Sequence, residues 1–253
     1  MSPTPDPCWP LRTARLTIDR LTALDAPTLA AYRCDPVVAR FQSWPLPYPV
    51  ADAETLVAAA AGAPFGTPGH ASQLAVRYHD PGHGRDDDAH IGDVHIGDVH
   101  IGDVHIGDVH IQVLADTPHA AEIGVTIAAD HHGRGLASEA VSAVVDVLVG
   151  PVVHKAIAFV DARNDASLAL FDRLGFRREG LLADSFRRPD GTFADEVLFG
   201  LTVPQLAAHR AQRRDAQPRA AQRPDAQPRA AQPRAVRPAA QLADRRGRQG
   251  GHP

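Results

Sequence analysis

An α/β (α+β) domain followed by a structureless tail is what this 253-residue sequence predicts, and three observations predict it. Short stretches alternating apolar and polar residues are interleaved with stretches of helical periodicity. One such junction, Ala121–Ala137 (AEIGVTIAADHHGRGLA), reads as a strand from Glu122 to Ala128, a turn holding Gly133 and Gly135, and a helix beginning near Arg134. Composition then breaks at Pro204, beyond which large apolar residues almost vanish.

Taken in order, residues 1–12 form a proline-containing leader. Arg15–Leu21 alternates at period two and reads as the first strand. Asp25 followed by Ala26-Pro27 is a helix start signal, with aspartate as N-cap, for a helix from Pro27 to Arg33. Val50–Ala61 is a second helix, capped by its acidic residues and ended by Gly62, and Ser72–Tyr78 is the second strand. His79–Ala89 is a loop.

His-Ile-Gly-Asp-Val then occurs four times without a break from His90 to Val109, followed by His110-Ile-Gln-Val113. As one strand, His90–Val113 would span roughly 80 Å, about twice the width of a domain this size. Five is odd, so each added copy should send its isoleucine to the opposite sheet face. The expected strand is therefore His105–Val113, with the earlier copies a tandem expansion. The same spacing sends successive histidines to opposite faces, which argues against a metal site, since zinc needs three or four ligands converging on one ion.

After the glycine turn, a helix runs through SEAVSAVVDVLVG to Gly150-Pro151. Val152–Val160 is an apolar strand, Asn164–Leu174 a helix, and Arg188-Pro-Asp-Gly191 a turn joining strands Phe176–Ser185 and Phe193–Val203. Residues 204–253 are rich in Ala, Gln, Pro and Arg and cannot offset their chain entropy by burial, so they are expected to be disordered.

Apolar residues make up 44% of the chain, enough for a core, and no run of eighteen suggests a membrane span. The opening MSPTPDPCWP lacks the layout of a signal peptide. Cys8 and Cys34 are too few for a disulfide framework, and a cytoplasmic protein is expected. The net charge of -4 conceals a division. Eleven arginines and three aspartates in residues 204–253 leave 15 basic and 27 acidic residues for the remainder, a net of −12. An acidic body favours encounter with cationic acceptors such as amines or basic peptides, or is simply a soluble surface. The basic tail offers possible nucleic-acid contact, although without interleaved aromatics a solubilising extension is preferred.

Unpaired amides at a helix N-terminus, at the positive end of the helix dipole, suit a phosphate, and glycines leave the backbone open to it. Asp130-His-His-Gly133-Arg-Gly135-Leu-Ala137 resembles the acetyl-CoA-binding motif of the GNAT N-acetyltransferase superfamily, Gln/Arg-x-x-Gly-x-Gly/Ala, with Asp130 in place of the preferred Gln or Arg. About thirty residues on, Asn164-x-x-Ser167 leading to Leu174-Gly175-Phe176 resembles a second block of that superfamily. The likeness covers residues 13 to 203 and is to the RimJ/RimL branch.

That resemblance implies a mixed, mostly antiparallel sheet of six or seven strands with helices on both faces. It implies acetyl-CoA as co-substrate, a primary-amine acceptor, no metal, and a monomer or homodimer. Cofactor contacts carry over to His132, Gly133, Arg134, Gly135, Leu136, Ala137, Asn164 and Ser167. Val125, Thr126 and Ile127 should splay from the strand at Ala158–Val160 and leave main-chain groups for the pantetheine arm. Phe41, Trp44 and Tyr48 line the acceptor wall or belong to the core. Glu122 is the candidate base, with a surface carboxylate as its alternative. Many members carry tyrosine where Phe171 stands, so Ser167 is the remaining hydroxyl for a catalytic acid, with capping or a CoA contact as its other roles. A non-catalytic acyl-CoA-binding module is the competing reading.

Overall fold

The computed structural model describes residues 7–61, 64–79 and 103–216. Fourteen elements follow in chain order among them. The first half holds β1 (Leu11–Arg12), β2 (Leu16–Arg20), α1 (Ala26–Arg33), α2 (Pro36–Ala39), α3 (Val50–Ala60) and β3 (Ala71–Tyr78). Then come β4 (Val104–Val113), β5 (Ala120–Ile127), α4 (Leu136–Leu148), β6 (Lys155–Asp161), α5 (Asp165–Arg173), β7 (Arg177–Arg187), β8 (Phe193–Thr202) and α6 (Val203–Ala216).

All eight strands join one sheet in the order β1-β2-β3-β4-β5-β6-β8-β7. Only β5 and β6 run parallel. The strand beyond the six or seven expected is β1, where Leu11 and Arg12 pair with Ile18 and Thr17, so the leader already contributes an edge.

Strand alternation divides the apolar residues between two cores, one on each face. On β3, Leu74 and Val76 enter the larger core with α4 and α5, while Ala75 joins α1 and α3 in the smaller one. On α4 the residues Leu136, Ala140, Val141, Val144, Val145 and Leu148 are all buried, a stripe at helical spacing that seats the helix under β5.

Three expectations need correction. Asp25 does hold the N-cap position of α1, with proline in the first turn, but its side chain makes no capping hydrogen bond to that helix. Its carboxylate accepts from Thr22 N–H at 2.8 Å and Thr22 Oγ1 at 2.9 Å, and pairs with Arg77 through Nη1 at 2.7 Å and Nη2 at 2.9 Å. Burial raises the Asp25 carboxyl, but these bonds outweigh it and hold it below the ordinary value.

The second correction concerns the last repeat copy. The strand does start there, one residue early at Val104, but the five-residue spacing does not alternate faces. Arg77 pairs with His105 and Val76 with Gly107, which leaves one extra residue on β4. That bulge resets the parity. Ile106 and Ile111 both enter the larger core. His105 and His110 both face the helix α1 side, His105 edge-on to Tyr32 and 3.4 Å from Asp25, and His110 Nδ1 3.1 Å from Gln73 Oε1. No group of three His, Cys, Asp or Glu among the described residues is placed to hold a metal. The upstream copies His90–Gly102, and Gly62, lie outside the described residues.

Third, Pro204 does not begin the tail. It sits in the first turn of α6, where a missing N–H costs nothing. Leu206 is buried in the larger core, and a Cβ on Gly175 would meet His209 at 2.6 Å, so the helix lies directly against the turn after α5. The rest of the expected tail, residues 217–253, lies outside the described residues. No described helix is long and apolar enough to cross a membrane.

Candidate functional site

The parallel ladder between β5 and β6 is short. It pairs Ala120 with Lys155, Ala121 with Ala156 and Glu122 with Ile157, and stops. β6 continues with β8 as far as Asp161 opposite Glu196, and β5 continues with β4 as far as Ile127 opposite Gly107. The two strands therefore part after Glu122, as the resemblance implied for Val125–Ile127 and Ala158–Val160.

Main-chain groups alternate sides along a strand. Lys155 N–H donates to His119 O, and Ala128 N–H donates back to Ile106 O. Odd-numbered residues of β5 thus turn their amides toward β6, and Val125 and Ile127 present theirs to the gap. The Ile127 carbonyl is already engaged by His132 Nε2 at 2.7 Å, so the His132 ring braces the mouth of the gap.

The gap opens into a cavity of about 670 Å³. Val125, Thr126, Ile127, His132, Gly133, Gly135, Leu136, Ala137, Asn164 and Ser167 all line it. A 3₁₀ turn at Ala129–His131 carries the chain from β5 into the glycine turn. Gly133 and Gly135 have φ +70° and +75°, a conformation other residues rarely adopt, and no heavy atom lies within 4 Å of a Cβ placed on Gly133. Beyond them the first amides of α4 lack intrahelical acceptors and face the cavity.

Across the cavity, α5 is capped by Asn164, whose Oδ1 accepts the Ser167 N–H at 3.2 Å. That bond leaves the Asn164 amide nitrogen and the Ser167 hydroxyl for the cavity. One face of α5, from Ala166 through Leu170 to Arg173, forms this wall.

Arg134 behaves differently from its neighbours. Its guanidinium leaves the cavity, stacks 4.5 Å over the Tyr78 ring and donates to Tyr78 OH at 2.7 Å. Its carbonyl accepts from Arg15 at 2.9 Å, and Arg15 in turn pairs with Glu139 at 2.7 Å. Glu139 also accepts from Thr13 Oγ1 at 2.6 Å, so this carboxylate fastens the turn to the sheet edge.

Glu122 does not line the cavity. It sits at the last β5–β6 pair, about 10 Å along the strand from Val125. Burial raises its carboxyl above the ordinary value, and the negative charge of Glu196 adds to the rise. Glu196 is fixed by Ser185 Oγ at 2.9 Å. Its proximity to Glu122 carries no sequence signal, because seventy-odd residues and two strands intervene.

Phe171 is buried in the larger core, 5.0 Å from Phe176 and 5.6 Å from Phe199 between ring centres, and offers no proton to the cavity. Phe41 does line the cavity, with Val37, Val38, Arg40 and Gln42. Trp44 and Tyr48 instead pack in the smaller core around Arg33, whose guanidinium lies 4.2 Å over the Trp44 ring.

That arginine belongs to a buried polar hub centred on Asp108, which sequence reasoning missed. Asp108 accepts from Tyr32, from Gln73 and from Arg33 at 3.2 Å. Gln73 gives its amine end to Asp108 and turns its oxygen to His110, so neutral His110 carries its proton on Nδ1. Burial lowers the His110 pKa, which favours that neutral form. The signal was available in one respect: a copied aspartate inside an apolar strand has to find buried partners.

Comparison with known proteins agrees with this geometry. The family described as Acetyltransferase (GNAT) domain matches residues 15–177. An uncharacterized N-acetyltransferase p20 of Bacillus licheniformis is 34% identical over 88 residues, which cover 34% of this chain and 49% of the relative. The ribosomal protein uS5-alanine N-acetyltransferase of Escherichia coli is 34% identical over 87 residues, covering 34% of this chain and 44% of that protein. The matched stretch thus spans about half the length of these curated relatives. The structure of Mycobacterium smegmatis RimJ, solved in complex with CoA-disulfide, superposes with a TM-score of 0.59 at 19% identity, covering 79% of this chain and 89% of that one. With the family match running from the first long strand through the glycine turn to the end of α5, the chain belongs to the GNAT acetyltransferase family.

Proposed function

We propose that this protein is an acetyl-CoA-dependent N-acetyltransferase that acetylates a primary amine, either a protein N-terminus or a small molecule. The observation that carries the reading is the parting of β5 from β6 after Glu122, directly beside the cavity edged by the glycine turn. The pyrophosphate sits on the amides from Gly133 to Ala137, and the pantetheine arm adds its amides to the gap at Val125 and Ile127, with Asn164 opposite.

The amine nitrogen attacks the thioester carbonyl carbon, an N–C bond forms and the C–S bond breaks. The Val125 N–H stabilises the developing oxyanion. The proton leaving the amine goes to Glu122 through water, since about 10 Å of strand separates that carboxylate from the gap. A carboxylate raised by burial and by Glu196 accepts a proton more readily than an ordinary one. The departing thiolate takes its proton from Ser167 or from solvent.

Recognition of CoA by the M. smegmatis neighbour and of a ribosomal protein by the E. coli relative supports the co-substrate and one acceptor class. A second reading, an acyl-CoA-binding module without turnover, is favoured by one observation, the burial of hydroxyl-free Phe171. Thiol release measured with acetyl-CoA over peptides with free N-termini, polyamines and aminoglycosides separates the two. Turnover on any acceptor that falls about 100-fold or more in Glu122→Gln supports the enzyme with Glu122 as base. CoA binding with no turnover across the panel supports the module.

A further inference from the structure

A second cavity, of about 580 Å³, adjoins the first and shares Gly135 and Ser138 with it. Its walls come from the outer face of α4, from β1, from Leu174 and from Arg213 of α6. Nothing in the reaction described above uses it, and α6 lies outside the stretch matched by the family.

The charges around this cavity are unequally satisfied. Glu139 is paired with Arg15, and Asp146 with Arg210. Among the described residues, Arg213 has no ion pair, and neither does Arg173, which closes the α5 wall of the first cavity one residue before Leu174. Each cavity therefore has one uncommitted guanidinium in its lining, Arg173 in the first and Arg213 in the second. The placement of Arg213 follows from how α6 is seated. Leu206, Arg210 and Arg213 share one helical face, with Leu206 in the core and Arg210 on Asp146.

Resting on the acetyl-CoA reading, we propose that the 3′-phosphate of the cofactor turns over Ser138 into this second cavity and is held by Arg213, with Arg173 in the lining of the first cavity. A pyrophosphate on the glycine turn leaves the adenosine end close to the shared residues Gly135 and Ser138. A phosphate monoester is nearly a dianion at neutral pH and an arginine fork meets it with two hydrogen bonds. Helix α6 is then part of the cofactor site, and the protein selects CoA over 3′-dephospho-CoA.

Calorimetric titration of the full-length protein with CoA and with 3′-dephospho-CoA tests this without requiring an acceptor. The unsubstituted protein should bind CoA about tenfold more tightly than its dephospho form, the scale of charge-assisted contacts to one phosphate. Arg213→Ala should shrink that ratio to about threefold or less, leave dephospho-CoA affinity unchanged, and be partly rescued by Arg213→Lys. Arg214→Ala, on the same helix but outside the cavity lining, should keep the full ratio. A ratio unchanged in Arg213→Ala, or equal weakening of both ligands, overturns the assignment of the phosphate. Failure of the unsubstituted protein to bind either ligand removes the acetyl-CoA reading itself and the inference with it.

Discussion

A Cβ placed on Gly107 would lie 2.2 Å from the Thr126 carbonyl oxygen and 3.0 Å from the Ile127 Cα. The glycine of the last repeat copy thus permits β4 to press against the end of β5, where the chain leaves for the cofactor turn. Backbone, not a flexible side chain, occupies the space. Gly107→Ala should therefore destabilise the protein by about 1–3 kcal/mol, the cost of overpacking, and shift the Thr126–Ile127 backbone. Denaturant unfolding would show the loss, and a midpoint equal to that of the parent would contradict the packing.

The same strand makes a prediction about copy number. Removing residues 90–104 leaves one intact copy, His105–Val109, and puts Ala89 where exposed Val104 pairs with Tyr78. Closing a shorter connection recovers about 1–2 kcal/mol at most, because loop entropy changes slowly with length. The shortened protein should be at least as stable as the parent and bind acetyl-CoA as well. A lower melting temperature, or metal-dependent stability lost with the deletion, would make the copies a working part of the fold.

Much of this architecture was legible because local patterns and tertiary placement agree. The alternation in Arg15–Leu21, the helix expected after the glycine turn and the one expected over Asn164–Leu174 each point to the element observed. What stayed hidden depends on contacts between distant residues. A bulge moved His105 and His110 to one face, although spacing alone assigned opposite faces. Composition marked everything past Pro204 as tail, because α6 buries essentially one large side chain, Leu206, and its remaining residues are polar or small. At the site, the glycine turn was readable as backbone chemistry, whereas the direction of the Arg134 side chain was decided by Tyr78, fifty-six residues earlier.

Gly135→Val joins two effects that can be measured separately. Gly135 is the N-cap of α4 at φ +75°, so a β-branched residue there costs about 1–2 kcal/mol of conformational strain. Only Arg15 Nη2, at 3.7 Å, is near the added Cβ, so no core packing is lost. The fold should survive with a lowered unfolding midpoint, while CoA affinity falls about tenfold or more as the amide cradle distorts. Unchanged CoA affinity in a folded Gly135→Val protein would move the pyrophosphate elsewhere.

Helix α6 is expected to contribute to stability through Leu206 more than through its charges. Leu206→Ala should cost about 2–4 kcal/mol, as for other buried leucines. Arg210→Ala removes a pair whose partners are roughly half exposed and should cost less than about 1 kcal/mol. Chemical denaturation of the two variants gives the comparison directly. The reverse order would mean that the helix is held on the domain by its ion pair.

Glu122 and Glu196 together should set the acidic limb of the pH–rate profile. Burial, and then the charge on Glu196, hold the Glu122 carboxyl above its ordinary value of 4.5. If Glu122 accepts the amine proton, activity is lost as pH falls through that raised value, because the protonated acid is no longer a base. Glu196→Gln removes the like charge while burial remains. The Glu122 pKa then falls partway toward the ordinary value, and the acidic limb should move to lower pH without changing shape. Glu122→Gln should instead lower kcat about 100-fold or more and abolish the limb, leaving only the titration of the amine itself. Profiles of kcat/KM for the parent and both variants on one acceptor decide the matter. An acidic limb that stays in place in Glu196→Gln would show that Glu122 does not carry the proton, and one that persists in Glu122→Gln separately from the titration of the amine would assign the base to another group.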